Sequence, residues 1–164
     1  LPDCAPGLKR RRIAVMWRSH LLRKPRMVQY WLVKSEPDAF SWDQQVANGV
    51  EPWTGVRNHM AKNNLKAMKL GDRAFFYHSN VGKEIVGIVE VAREAYPDPT
   101  AESGDWVCVD MRAIEPVPKP VTLTSIKADP ELAGIPLIRQ SRLSVMPISP
   151  EHWDRLCRMG ECKH

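Results

Sequence analysis

The first ordered pattern along the chain is the run Tyr30-Trp31-Leu32-Val33-Lys34, aromatic and β-branched, which predicts a short strand. Ser35-Glu36-Pro37-Asp38 ends it, because proline has no N–H with which to continue a ladder. Ser41-Trp42-Asp43-Gln44 has the form of a capping box: the Ser41 hydroxyl can accept the backbone N–H of Gln44 while the Gln44 side chain returns the bond. A helix to about Ala47 is expected there, stopped by Asn48-Gly49. A second helix is predicted over residues 58–68, with Met60, Asn64, Leu65 and Met68 as its inner stripe and Lys62, Lys66 and Lys69 facing away.

Gly71-Asp72 turns the chain into the apolar run of residues 73–78, and Asn80-Val81-Gly82-Lys83 has the composition of a hairpin connection. Residues 85–92, IVGIVEVA, are apolar at nearly every position, as in a strand buried on both faces, and Gly87 inside them marks a bend or a close approach. Residues 96–100 read as a rigid loop, residues 106–114 as an alternating strand, and Pro116, Pro118 and Pro120 as a connection. A short helix near residues 125–129 and an extended stretch over 143–148 follow. Ser149-Pro150-Glu151 then opens a last helix that turns Trp153, Leu156 and Cys157 inward and stops at Gly160. Trp31, Trp42, Trp106 and Trp153 are assigned to the core. Helices and strands do not alternate as a doubly wound parallel sheet requires, and no internal repeat is visible. The pattern predicts an α+β domain built on a compact, mostly antiparallel β-barrel with flanking helices.

Composition narrows the function classes. The 164 residues are 43% hydrophobic and 26% charged, enough for one domain with a real core, and no apolar run approaches the ~20 residues of a membrane-spanning helix. The formal net charge is +5, but residues 1–26 hold eight Lys/Arg against one acid, a segment charge of +7 that leaves −2 for residues 27–164. A uniformly basic domain that coats nucleic acid is therefore excluded, while a local basic site on a near-neutral domain is not. The basic segment admits three readings: a nuclear-type cluster at residues 9–12, an Arg-rich transit peptide, or sequence upstream of a true start at Met27. Strand-like order begins immediately after Met27, which favours the third. Residues 1–26 are expected to be a disordered tail, and residues 27–164 the domain.

Candidate chemistry is sparse. There is no G-x-S-x-G, no phosphate-cradling P-loop, no H-E-x-x-H and no paired C-x-x-C, so no enzyme is expected. Cys157-x4-Cys162-x-His164 lacks a second ligand pair; together with Cys4 and Cys108, its cysteines are read as reduced thiols of a cytosolic protein, with neither metal nor cofactor. Two clusters stand out. Lys34-Ser35-Glu36 places polar groups at the end of a strand, where they can line a pocket or simply make a turn. Trp53-Thr54-Gly55-Val56-Arg57-Asn58, with Asn63 further along the helix, offers a flat π surface, a cation and amide hydrogen bonds. Those groups suit a planar heterocycle near a phosphate. The same residues admit a plainer account, Trp53 in the core and Arg57 a solvated helix charge, and the sequence does not choose between the two. Tyr77-His78-Ser79-Asn80, a polar end to an apolar strand, and Arg139-Gln140-Ser141-Arg142, two cations available to phosphates, are weaker candidates.

Taken in order, the stretches YWLVKSEPDAFSWDQ, WTGVRNHMAKNNLKAMKLGDRAFFYHSN, IVGIVEVAREAYPDPTA and RLSVMPISPEHWDRL resemble the EVE domain family over residues 28–160. The resemblance implies a PUA-like fold related to YTH and ASCH domains. YTH domains read N-methylated adenine in RNA by holding the flipped base in an aromatic-lined pocket. By that similarity Lys34, Ser35 and Trp53 are the first site positions, with Asn58 and Asn63 in support; Glu36, Val56, Tyr77 and Ser79 complete the expected nucleobase set, and Arg57 and Arg142 the phosphate set. The implied function is non-enzymatic capture of a modified nucleobase, such as methylated or hydroxymethylated cytosine, from DNA or RNA. The alternatives are a PUA-like binder of structured RNA, a small-ligand domain, and a nuclease using Lys34, Glu36 and Tyr77. Nucleic acid is the expected partner and no membrane is involved; a cytoplasmic location is expected in a bacterium and a nuclear one in a eukaryote.

Overall fold

The structure is a computed structural model that describes residues 26–163. The basic segment before Arg26, with Cys4, and His164 at the other end lie outside the described residues. Six strands form one sheet: β1 (Tyr30–Ser35), β2 (Val50–Pro52), β3 (Arg73–His78), β4 (Glu84–Pro97), β5 (Val107–Thr122) and β6 (Val145–Ile148). Their order is β2-β5-β4-β3-β1-β6, and every neighbouring pair is antiparallel except β1 with β3. Five helices accompany them: α1 (Trp42–Asn48), α2 (His59–Ala67), α3 (Leu123–Ala128), α4 (Pro136–Arg139) and α5 (Pro150–Gly160). The fold is the expected α+β, with a mostly antiparallel sheet. No helix among the described residues is long and apolar enough to cross a membrane.

Local chemistry explains where the helices start. The Ser41 hydroxyl accepts from Gln44 N at 3.3 Å while Gln44 Oε1 accepts from Ser41 N at 2.8 Å, completing the capping box of α1. The helix ends at Gly49, whose φ of 72° an L side chain rarely adopts. Asn58, Thr122 and Ser149 cap α2, α3 and α5 in the same side-chain-to-backbone manner.

Helix α2 lies on the curved sheet so that it touches both β5 and β6, strands far apart in the sheet order, and Asn64 Nδ2 donates to the Val145 carbonyl at 2.7 Å. Its buried stripe is Ala61, Leu65 and Met68, so Leu65 and Met68 face inward as predicted, while Met60 is exposed and Lys62 is buried. Lys62 reaches inward because Asp105 receives its ammonium at 2.9 Å and Trp106 takes the charge on its ring face.

Two other expectations are corrected. The prolines at 116, 118 and 120 lie within β5, not in a connection: Gly87 pairs with Pro116 and Ile85 with Val121, so an irregular stretch of β5 carries Pro118 and Pro120 past the ladder. The last helix does end at Gly160, as expected, with Glu161 taking the left-handed cap at φ 57°; Gly160 is glycine because a Cβ there would stand 2.5 Å from Val117. Trp106 is only half-buried, outside the core. Gly87, in contrast, is a close approach as predicted: its β-carbon position lies 2.4 Å from the Trp42 ring.

Arg26, grouped with the tail by composition, forks onto the buried Asp72 at 2.9–3.1 Å. The same carboxylate accepts the Trp31 indole N–H at 3.1 Å and the backbone N–H groups of Gln29 and Lys69.

Candidate functional site

The end of β1, residues 36–40 and residues 51–58 enclose a cavity of about 620 Å³. Lys34, Ser35, Glu36, Trp53, Val56, Arg57 and Asn58, all singled out by sequence, line it. Two clusters some twenty residues apart in sequence meet there through Phe40, whose carbonyl accepts the Ser35 hydroxyl at 2.6 Å and whose ring meets that of Trp53 at 6.2 Å.

Trp53 is buried in the core, as the plainer account has it, and also lines the cavity. It is only 7% exposed, and its ring meets Phe76 edge-on at 5.5 Å and Phe40 at 6.2 Å, yet it also forms a wall of the cavity. Its packing against Phe76 and Phe40 fixes the ring where it meets the cavity. Ser35 donates its hydroxyl to the Phe40 carbonyl at 2.6 Å, which leaves the oxygen as an acceptor. Lys34 Nζ donates to the Ser141 carbonyl at 2.8 Å, and burial pulls its ammonium below the usual lysine pKa. Asn58 commits its Oδ1 to Ala61 N at 3.0 Å as the α2 cap, so its amide donors are what it can offer a ligand.

Arg57 is not the solvated charge of the plainer account. Its Nη1 donates to Asp98 Oδ2 at 2.9 Å and to the Val56 carbonyl at 3.0 Å, and Nη2 to Thr100 Oγ1 at 3.2 Å. Asp98 is fully buried and also accepts Gly55 N at 2.9 Å, together with the N–H and hydroxyl of Thr100 at 2.7 Å each. Burial alone would push its carboxyl up; bonds from Thr100, Gly55 and Arg57 outweigh that and hold it well below the usual carboxylate range. Gly55, at φ 83°, is where the wall turns toward this carboxylate. Asp98 went unnoticed in the sequence, where the Asp98-Pro99 dipeptide signals only a loop; its distance of 41 residues from Arg57 carries no local mark.

The remaining candidates fall outside the cavity walls. Arg142, exposed, lines an adjoining recess of about 350 Å³ with Arg139, Gln140 and Ser141, and Asn58 is shared between the two. Asn63 points to an exposed position of α2. Tyr77 is buried in β3, where desolvation raises its pKa, and its backbone pairs with Lys34. Ser79 follows β3 and donates its N–H to the Ser35 carbonyl at 2.9 Å. Tyr77 and Ser79 thus support the end of β1 from behind. His78 likewise supports: its Nε2 accepts Trp42 N at 3.1 Å, and burial lowers its pKa.

The described cysteines are not activated thiols. Burial pushes the Cys157 thiol up to about 12 and raises the Cys162 and Cys108 thiols as well, so none is a ready thiolate. Among the described residues no three His, Cys, Asp or Glu side chains converge as metal ligands.

Comparison with known proteins adds an independent line. The family described as the EVE domain matches residues 29–159. Thymocyte nuclear protein 1 of Gallus gallus is 36% identical over 168 aligned residues, covering 82% of this chain and 69% of its own. Among solved structures, Rpa0253 of Rhodopseudomonas palustris is 60% identical, with a TM-score of 0.79 over 84% of this chain and 96% of that one. The human THYN1 protein, solved in complex with DNA containing 5-methylcytosine, is 30% identical, with a TM-score of 0.76 over 83% of this chain and 99% of that one.

Proposed function

The chain belongs to the EVE domain family, and on that premise we propose that its cavity captures a modified cytosine turned out of DNA. The observation that carries this reading is Trp53: an immobilised indole forms one wall of a cavity whose volume of about 620 Å³ falls in the range of small-molecule sites. A base that leaves its stack loses its π contacts, and the indole supplies a replacement face. Ser35 Oγ, the Asn58 amide and the Lys34 ammonium are the polar groups within reach of a base edge, and Val56 is an apolar neighbour suited to a methyl group. Arg142 and Arg139, in the adjoining recess, are the cations suited to the flanking phosphates. Arg57, tied to Asp98, shapes the wall. The human relative bound to 5-methylcytosine DNA supports DNA as the polymer and cytosine as the base. The role is binding, with no covalent step.

The test is a fluorescence-anisotropy titration of two duplex DNAs that differ only in one 5-methyl group, alongside RNA of the same sequence. Tighter binding of the methylated duplex is expected, with the preference reduced in Trp53→Phe. Equal affinity for all three, falling steeply with salt, would overturn the reading in favour of a charged surface that contacts many phosphates.

A further inference from the structure

Beside the cavity, and outside the expected site, stands a second aromatic feature. His59 lies on Trp106 with ring centroids 4.9 Å apart and planes inclined by 29°. Lys62 Nζ is 5.3 Å and Arg57 Cζ 5.8 Å from the centre of the Trp106 ring. Lys66 approaches the same Asp105 that pairs with Lys62, at 3.6 Å, so one carboxylate answers two ammonium groups and the patch keeps a positive balance. Trp106 is half-buried, and its backbone is held in place by its carbonyl, which accepts Asp98 N at 2.9 Å. His59 is exposed. The imidazole is thus stacked on a half-buried indole while its residue stays exposed to solvent.

We propose that this His59–Trp106 stack is a second nucleic-acid subsite, which takes the base next to the one in the cavity. The inference rests on the cavity reading above for its register. Two observations join the sites. Arg57 both lines the cavity and reaches the Trp106 ring, so the two aromatic surfaces share a cation. Asp98 holds the cavity wall with its carboxylate and Trp106 with its backbone N–H, so one residue sets the spacing of both. When a base is turned out of a strand, its neighbour also loses a stacking partner. The outer imidazole face is a platform for that neighbour, and Lys66 is a cation for its phosphate. A purely structural cluster would serve equally well with the histidine replaced by any residue that leaves α2 in place.

The experiment is a cycle on duplex DNA with one 5-methylcytosine, using wild type, His59→Ala and His59→Tyr, each with the intact duplex and with duplexes made abasic immediately 5′ or 3′ of the modified base. His59→Ala is expected to weaken binding of the intact duplex about five- to tenfold, within the range of a lost base-stacking contact, and His59→Tyr to restore it. One of the two abasic duplexes should bind wild type more weakly than it binds His59→Ala in relative terms, so that the two losses do not add. The effect of the abasic site on base extrusion is common to both proteins and cancels. The methylated-to-unmethylated preference should be unchanged in His59→Ala, because the cavity sets it. Unchanged affinity in His59→Ala, or fully additive losses at both positions, overturns the subsite. Absence of any methyl preference in wild type overturns the cavity reading instead, and the subsite is then judged by the His59→Ala loss on unmodified DNA. Absence of all binding overturns both.

Discussion

Replacing Asp98 by Asn removes a charge without removing atoms, and the structure allows the consequence to be worked out. Oδ2 accepts Gly55 N and Arg57 Nη1, and Oδ1 accepts the N–H and hydroxyl of Thr100. An asparagine has one oxygen for these donors. Turned toward Gly55 and Arg57, it leaves its NH₂ against the Thr100 N–H, although the Thr100 hydroxyl can rotate to accept. One buried backbone donor is then unpaired, a cost of about 1–3 kcal/mol. The ion pair with Arg57 becomes a neutral hydrogen bond; the arginine side chain is 39% exposed, so solvent screens that loss to at most about 1 kcal/mol. The expected total is about 1–4 kcal/mol, a large part of the stability of a domain this size. It should appear in urea unfolding as a lower midpoint with an unchanged slope. Because the folded carboxyl is held below its unfolded value, its contribution is complete above the unfolded pKa near ~4 and is lost as pH falls through that value toward the folded one. The gap between wild type and Asp98→Asn should therefore be flat from neutral pH to about pH 5 and close below it. A neutral-pH difference under about 0.5 kcal/mol, the size of an ordinary surface substitution, or a gap that widens on acidification would refute the reasoning. In the folded variant, DNA affinity should also drop, since residues 55–57 form the cavity wall that the carboxylate holds.

Trp53→Ala should cost about 3–5 kcal/mol because it empties a site packed against Phe76 and Phe40, so thermal unfolding must accompany any binding assay of that variant; Trp53→Phe should cost far less and isolate the loss of ligand. Gly87→Ala drives a β-carbon to 2.4 Å from the Trp42 ring and should destabilise by about 1–3 kcal/mol, with part of the loss recovered in the double variant with Trp42→Phe; full additivity in a melting-temperature cycle would disprove the contact. Asp72→Ala should cost about 3 kcal/mol or more, since it orphans the Trp31 indole N–H and the Gln29 and Lys69 amides. Arg26→Ala, at a side chain 44% exposed, should cost under about 1 kcal/mol; chemical denaturation that ranked the two the other way would place the anchor in the arginine.

What could be read from the sequence was whatever depends on near neighbours. The Ser41–Gln44 box, the Ser149-Pro150-Glu151 opening and the hairpin at residues 80–83 are satisfied within a few residues, so spacing alone reports them. Clusters around Lys34 and Trp53 were legible as polar and aromatic groups at element ends, and the family resemblance supplied their meaning. Less was legible wherever a residue's partner lies far along the chain. On α2 the periodicity locates Leu65 and Met68 on the inner face but not the exposed Met60 or the buried Lys62, because it fixes a stripe and not what meets it, and Asp105 is what receives the Lys62 ammonium. Trp106 was assigned to the core on hydrophobicity, whereas cations and His59 hold it at the surface. Pro116, Pro118 and Pro120 looked like strand breakers until β4 was seen to tolerate a slipped register there. Asp98 had no signature at all: a carboxylate becomes a latch only when tertiary folding buries it among donors from residues 55, 57 and 100, and burial is what turns an ordinary loop acid into the fixed point of the cavity wall.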